Sequence, residues 1–174
     1  MGRRNKKACI MTDKINVAGI ENESIVDGEG VRLTVFVQGC LRHCQGCHNP
    51  STWDINKKAL LLSADEIMSQ YNENPLLSGI TFSGGEPFLQ ADKLIELADK
   101  VHEAGGTVWC YTGYTLEDLR VSEEFSGLLN RIDVLIDGPY IESERDLTLE
   151  FRGSRNQKVW KNVKGVWTRD DSYR

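Results

Sequence analysis

The run Val31-Arg32-Leu33-Thr34-Val35-Phe36-Val37 leads, two residues on, into Cys40-Leu41-Arg42-His43-Cys44-Gln45-Gly46-Cys47-His48-Asn49-Pro50. A short run rich in β-branched and aromatic residues reads as a buried strand, so the three thiols lie on the loop leaving its C-terminal end. Where strands alternate with helices, that end is the one at which chemistry is assembled. Three cysteines in an x3 then x2 spacing can converge on one metal centre. Three protein ligands rather than four leave a coordination position vacant, which separates a catalytic metal from a structural one. With His48 or His43 as a fourth ligand, the same loop would instead make a structural zinc site. Spacing alone leaves both readings open.

Outward from this stretch, Asp27-Gly28-Glu29-Gly30 makes a tight turn before the strand, because glycine tolerates backbone angles that other residues avoid. Residues 15–20 read as a short edge strand. Residues 1–13 are polar and expected to be loose, with Cys9 an incidental thiol. Downstream, Ser63-Ala64-Asp65-Glu66 carries a capping box, opening a helix to about Asn72, before Pro75. Gly79-Ile80-Thr81-Phe82 is the next strand and ends in Ser83-Gly84-Gly85-Glu86-Pro87. Leu94, Ile95, Leu97, Ala98 and Val101 recur at helical spacing between Asp92 and Ala104, and Gly105-Gly106 stops that helix. A strand over residues 107–112 holds Cys110, read as a small buried hydrophobe. Thr115 opens a further helix, which Ser122-Glu123-Glu124 interrupts. Residues 132–137 form a strand turning at Gly138-Pro139, residues 147–158 resist assignment, and residues 163–168 read as a last strand.

This alternation argues for a parallel α/β sheet, and a doubly wound layered sheet would give the same pattern. At 174 residues the chain suits one domain with a real core. A net charge of −5 argues against a nucleic-acid or anionic-membrane surface, and no apolar stretch approaches the roughly 20 residues that span a bilayer. Arg3, Arg4, Lys6 and Lys7 lack a following apolar segment, so no secretory signal is expected. Five cysteines, three of them clustered, favour metal binding in a reducing cytosol over a disulfide framework. No Gly-x-Ser-x-Gly elbow, His-Glu-x-x-His pair or Walker loop is present. Two single residues carry open readings: Asp137 either faces the site or forms the turn at Gly138-Pro139, and His102 is a rim or solvent-facing residue.

The Cys40-x3-Cys44-x2-Cys47 loop resembles the cluster-binding loop of radical S-adenosylmethionine enzymes. The longer pattern Gly28-x-Gly30-x-Arg32-x3-Phe36-x2-Gly39-Cys40, with Asn49 two places after the last cysteine, resembles the signature of enzymes that activate glycyl-radical partners. The resemblance implies a [4Fe–4S] cluster held by Cys40, Cys44 and Cys47, whose free iron is chelated by the amino and carboxylate groups of S-adenosylmethionine. One electron into the sulfonium would leave methionine and a 5′-deoxyadenosyl radical, the protein supplying alignment and exclusion of water and oxygen. Gly84-Gly85-Glu86 alone could be a tight turn before a helix; in the family this motif meets the ammonium of the cofactor. The family commonly has an aromatic residue before the last cysteine, near the adenine. Here that residue is Gly46, which leaves the Gly46 backbone or His48 to make the contact. The cofactor contacts so implied are Gly46, Cys47, His48, Gly84, Gly85 and Glu86, with no catalytic side chain beyond cluster and cofactor.

Residues 49–54, 137–141 and 151–157 further resemble activating proteins of anaerobic ribonucleoside-triphosphate reductase, extending the likeness over residues 15 to about 160. The bland reading of residues 151–157 is a surface turn rich in hydrogen-bonding side chains. The resemblance implies an incomplete (β/α) barrel of about six units, since a closed one needs about 250 residues. It also implies one radical-SAM domain over residues 1–174, a glycine of the large reductase subunit as substrate, a one-electron donor such as flavodoxin, and a cytoplasmic location. Activation of another glycyl-radical enzyme, such as pyruvate formate-lyase, and a zinc-binding module without catalysis are the alternatives.

Overall fold

Residues 13–174 are described in the computed structural model; the expectations for the first twelve residues and Cys9 lie outside them. Strand β2 (Val31–Val37) forms where the apolar run predicts it. Leu33, Val35 and Val37 are fully buried on one face, while Arg32, Thr34 and Phe36 alternate onto the other. It pairs antiparallel with β1 (Ile15–Ser24) and parallel with β4 (Leu77–Gly84). The expected edge strand is therefore longer and lies inside the sheet. The edge belongs to β3 (Leu60–Leu62), three residues too few to show a period, which pairs on the outer side of β1. Strands β5 (Thr107–Tyr111) and β6 (Val134–Asp137) continue the parallel part.

Helix α1 (Ala64–Glu73) starts on the expected capping box, Ser63 accepting from the Glu66 N–H and Glu66 from the Ser63 N–H. Helix α2 (Ala91–Glu103) follows the predicted apolar stripe, and Ser122, in extended backbone, separates α3 (Leu116–Val121) from α4 (Glu123–Leu129). Ile67, Leu94, Leu97, Val101, Leu119 and Leu128 pack with Leu33, Ile80, Phe82, Val108 and Leu135 into one core. The opposite face of the sheet carries Trp109, Val134, Ile136 and Val159, with Phe151 and Tyr173 against them.

The eight strands run in the order β3-β1-β2-β4-β5-β6-β7-β8. About six β/α units were expected; the parallel part holds four strands, β2, β4, β5 and β6, joined by crossovers carrying α1, α2 and α3–α4. A parallel strand needs a long crossover, usually helical, behind it. Residues 147–158 carry no helical stripe, so β7 (Lys158–Val163) and β8 (Val166–Arg169) return as an antiparallel hairpin through Lys164 and Gly165. The single strand expected over residues 163–168 falls across that turn. Among the described residues no pairing joins β3 to β8, so the sheet is open.

Arg32 braces the sheet from within. It is 1% exposed, and its Nε donates to Thr81 Oγ1 at 2.7 Å, Nη2 to the Ile80 and Thr107 carbonyls at 2.7 and 2.8 Å, and Nη1 to Thr107 Oγ1 and the Glu29 carbonyl at 3.1 and 3.2 Å. Every donor of the guanidinium is matched. Burial pulls its pKa down to about 10, still charged at neutral pH. Among the described residues no helix is long and apolar enough to cross a membrane.

Candidate metal centre and cofactor pocket

The C-terminal ends of β2, β4, β5 and β6 open onto one cavity of about 670 Å³. The loop after β2 forms one wall. Gly39 N–H bonds the Thr52 carbonyl at 2.7 Å and Cys40 N–H the Trp53 carbonyl at 3.2 Å, pinching the loop at its base. Gln38 Nε2 holds the Asp54 carbonyl at 2.9 Å, and the Cys47 N–H closes a turn onto the Cys44 carbonyl at 3.1 Å. Cys40, Cys44 and Cys47 all line the cavity from this wall and all are half-buried. Burial pushes the Cys40 thiol up from its ordinary value, with backbone N–H groups of Arg42 and His43 opposing the shift. The Asn49 N–H donates to Cys47 Sγ at 3.3 Å.

Among the described residues no group of three or more His, Cys, Asp or Glu side chains is placed to hold a metal ion. A zinc ion draws its ligands to one point, about 2.3 Å from each sulfur, whereas an iron–sulfur cube takes each thiolate at a different iron. Three thiolates on one loop are a soft donor set that fits the cube. Of the two histidines that could complete a zinc site, only His48 lines the cavity, and both are engaged with aromatic rings. His43 stacks on Trp53 with ring centroids 4.7 Å apart, and His48 lies against Tyr140 at 5.4 Å.

The turn after β4 forms the second wall, where Gly84, Gly85 and Glu86 line the cavity. Packing accounts for both glycines. A Cβ on Gly84, at φ +92°, would lie 2.7 Å from Phe36 Cα and Val37 N, and one on Gly85 would collide with the Gly39 carbonyl. The two walls are bonded together there, Gly85 N–H to the Val37 carbonyl and Glu86 N–H to the Gly39 carbonyl, both at 2.8 Å. Glu86 itself is 2% exposed. Its Oε1 accepts from Phe88 N–H at 3.1 Å and Thr112 Oγ1 at 2.8 Å, and its Oε2 from Gly113 N–H at 2.8 Å. Burial raises its pKa in spite of these donors. A carboxylate offers about four lone-pair sites, so one on Oε2 is left unmatched by these donors.

Of the other expected contacts, His48 and Cys47 line the cavity, and Gly46 does not. The loop turns at Gly46 with φ +74° and presents it to solvent. Asp137 follows neither reading: it does not line the cavity, and its Oδ2 accepts from the Leu116 N–H of the first turn of α3 at 2.8 Å. Cys110 is fully buried on the helix-covered face, as read from its strand. His102 is half-exposed and bonds Asp133 Oδ2 at 2.8 Å, away from the cavity. Sequence reasoning passed over Phe36 and Tyr111, which line the cavity from the ends of β2 and β5. Strand parity, counted from the buried Leu33 and Val108, was the signal for both. It also passed over Tyr140 and Arg42, which lines the cavity with its guanidinium 4.4 Å over the Tyr114 ring.

Residues 26–160 match the family described as 4Fe-4S single cluster domain. The chain is 34% identical over 152 residues to the anaerobic ribonucleoside-triphosphate reductase-activating protein of Enterobacteria phage T4, covering 83% of this chain and 93% of that one. It is 34% identical over 142 residues to the protein of that name from Escherichia coli (strain K12), covering 78% and 91%. The Haemophilus influenzae protein (strain ATCC 51907 / DSM 11121 / KW20 / Rd) of that name is 36% identical over 145 residues, covering 78% and 90%. Among solved structures, QueE from Escherichia coli superposes at a TM-score of 0.49 with 15% identity, over 77% of this chain and 76% of that one, too distant a likeness to bear on function.

Proposed function

Since the chain belongs to the family of anaerobic ribonucleoside-triphosphate reductase-activating proteins and of 4Fe-4S single cluster domains, we propose that it activates the large anaerobic reductase by generating a glycyl radical on it. The observation that carries this reading is the meeting of two walls at one cavity, three loop thiols on one and the Gly84-Gly85-Glu86 turn on the other. Cys40, Cys44 and Cys47 would hold a [4Fe–4S] cluster, and the open lone pair of Glu86 would take the ammonium of S-adenosylmethionine. Bound there, the two groups supply reductive cleavage of a sulfonium and abstraction of a hydrogen atom.

The chain's own part is placement. The backbone bonds from Gly85 and Glu86 to the β2 exit set the distance between thiols and carboxylate. Phe36 and Tyr111 floor the cavity with apolar surface that keeps water from the reacting atoms. The sheet is read as an incomplete barrel whose open side admits a glycine-bearing loop from a folded partner. A small-molecule enzyme would instead want a closed pocket. Electrons come from a one-electron donor of the flavodoxin kind. A cytoplasmic location fits three cluster thiols that must stay reduced and deprotonated to bind iron, and the whole chain is read as one such domain.

The test is anaerobic reconstitution followed by iron and sulfide analysis. Cys40→Ala, Cys44→Ala and Cys47→Ala should each lose the cluster, and Cys110→Ala should keep it. A colourless zinc protein, or loss of iron in Cys110→Ala alone, would overturn the assignment.

A further inference from the structure

On the helix-free face of the sheet, Trp109 meets two rings from outside the sheet, Phe151 at 5.2 Å and Tyr173 at 6.2 Å, themselves 5.4 Å apart. Residues 149–153 line the cavity from that face. The base of this segment is fixed. Gln157 Oε1 accepts from the Gly153 and Ser154 N–H groups at 2.9 and 3.2 Å, and its Nε2 donates to the Gly138 carbonyl at 3.1 Å. Asn156 Nδ2 donates to the Pro139 carbonyl at 2.7 Å, so the base is tied to the exit of β6. The tip is held differently. Among the described residues, every hydrogen bond that residues 147–152 make outside residues 146–155 goes to Tyr173 or Arg174. The Glu150 N–H donates to the Arg174 carbonyl at 2.7 Å, Glu150 Oε2 accepts from the Arg174 N–H at 3.0 Å, and Arg152 Nη2 donates to the Tyr173 and Arg174 carbonyls at 3.0 and 2.7 Å. The Tyr173 hydroxyl donates to Glu29 Oε1 at 2.6 Å, in the turn between β1 and β2. Residues that follow β8 thus reach across the sheet to hold the tip down. Two features of the tip are unsatisfied. Phe151 has φ +58°, a region in which a bulky residue is an outlier, and Arg152 Nε is buried without a partner, whereas buried donors are ordinarily matched. Backbone strain of this kind collects at clamps and switches.

We propose that residues 146–153 are a strap across the open side of the cavity, latched by residues 170–174, and that the partner's glycine-bearing segment enters by displacing it. The proposal rests on the reading of this chain as an activator of a folded partner. Helices α1 to α4 pack on the other face of the sheet, which leaves the strap's side to an incoming polypeptide. In the latched form Phe151 and Arg152 stand in that path. A partner that needs the open form binds with an affinity reduced by the fraction of molecules that are open. Loosening the latch should therefore tighten the complex, the reverse of what losing a docking contact does.

The experiment is amide hydrogen exchange on cluster-loaded wild type, Tyr173→Phe, Glu29→Ala and Tyr173→Ala, with anaerobic titration of each by the large reductase. Tyr173→Phe and Glu29→Ala remove the same hydrogen bond and keep the rings. Each should speed exchange over residues 147–152 and tighten reductase binding by a common factor, about two- to tenfold. Tyr173→Ala also removes two ring contacts and should exceed both, at about tenfold or more. Helix α2 should exchange as in wild type, which separates release of the latch from general unfolding. Should Tyr173→Ala disturb α2 as well, the two milder variants decide. Unchanged exchange over residues 147–152, or faster exchange with equal or weaker reductase binding, overturns the strap and leaves the proposed function standing. A reductase that binds neither wild type nor any variant overturns the proposed function, and the strap's role with it.

Discussion

Replacing Gly85 by alanine separates two accounts of the Gly-Gly-Glu turn. Gly85 has no left-handed φ, so alanine meets no backbone penalty there, and its cost is one of space. The added Cβ would lie 2.8 Å from the Gly39 carbonyl carbon and 3.0 Å from the Val37 oxygen, closer still to the Gly39 oxygen. All three are backbone atoms of the β2 exit and cannot turn aside. Overpacking of this kind costs about 1–3 kcal/mol. Prying the walls apart also weakens the Gly85 and Glu86 N–H bonds to that exit, each contributing about 0.5–1.5 kcal/mol. The sum is about 2–6 kcal/mol, a large share of the roughly 5–15 kcal/mol that holds a domain folded. Urea unfolding of the reduced, cluster-free protein measures it, as a lower midpoint at unchanged slope. A loss below about 0.5 kcal/mol, with S-adenosylmethionine affinity reduced in the loaded protein, would show that the glycine serves the ligand and refute the packing account.

Glu86→Gln should keep the iron content and weaken S-adenosylmethionine by about ten- to a hundredfold, the value of a charge-assisted hydrogen bond; unchanged affinity in calorimetry counts against the contact. The same variant has a pH signature. Burial holds the folded Glu86 pKa above its unfolded value, so its contribution to stability is greatest below the ordinary glutamate range and falls as pH rises through the folded pKa. Wild type minus Glu86→Gln should decline over that window, and a flat difference contradicts the shift. Asp170 works in the opposite sense: Lys161, at 2.7 Å, holds its carboxyl down to about 2. Its stabilisation is present above the ordinary aspartate value and disappears as pH falls toward the folded one, so Asp170→Asn should flatten that acid limb. Arg32→Lys leaves at least two of five buried bonds unmade and should cost about 2–5 kcal/mol in urea unfolding; a cost under about 1 kcal/mol would mean that lysine and water can replace the brace.

The sequence was most legible where one local rule was enough. The Val31–Val37 run, the Ser63–Glu66 capping box and the stripe from Leu94 to Val101 each carry their own period or cap, and each formed as read. The three thiols and Glu86 were legible as a site because both follow strand ends, and parallel strands bring those ends together. The number of parallel strands was not legible. It depends on residues 147–158, which carry no period, and on whether β7 returns parallel or antiparallel. The crowding at Gly85 was not legible because it comes from Gly39, 46 positions away, with no local signal. Tyr140 was missed for the same reason: it lines the cavity against His48 of the thiol loop, a contact between two loops with no local signal.

The central claim is that this chain puts a radical on a glycine of a large anaerobic ribonucleotide reductase. Its most direct measurement is an electron paramagnetic resonance spectrum of the reduced, reconstituted protein mixed with S-adenosylmethionine and that reductase. The account predicts a glycyl doublet on the reductase that is lost with Cys44→Ala. No doublet there, with one formed on pyruvate formate-lyase under the same conditions, would contradict it.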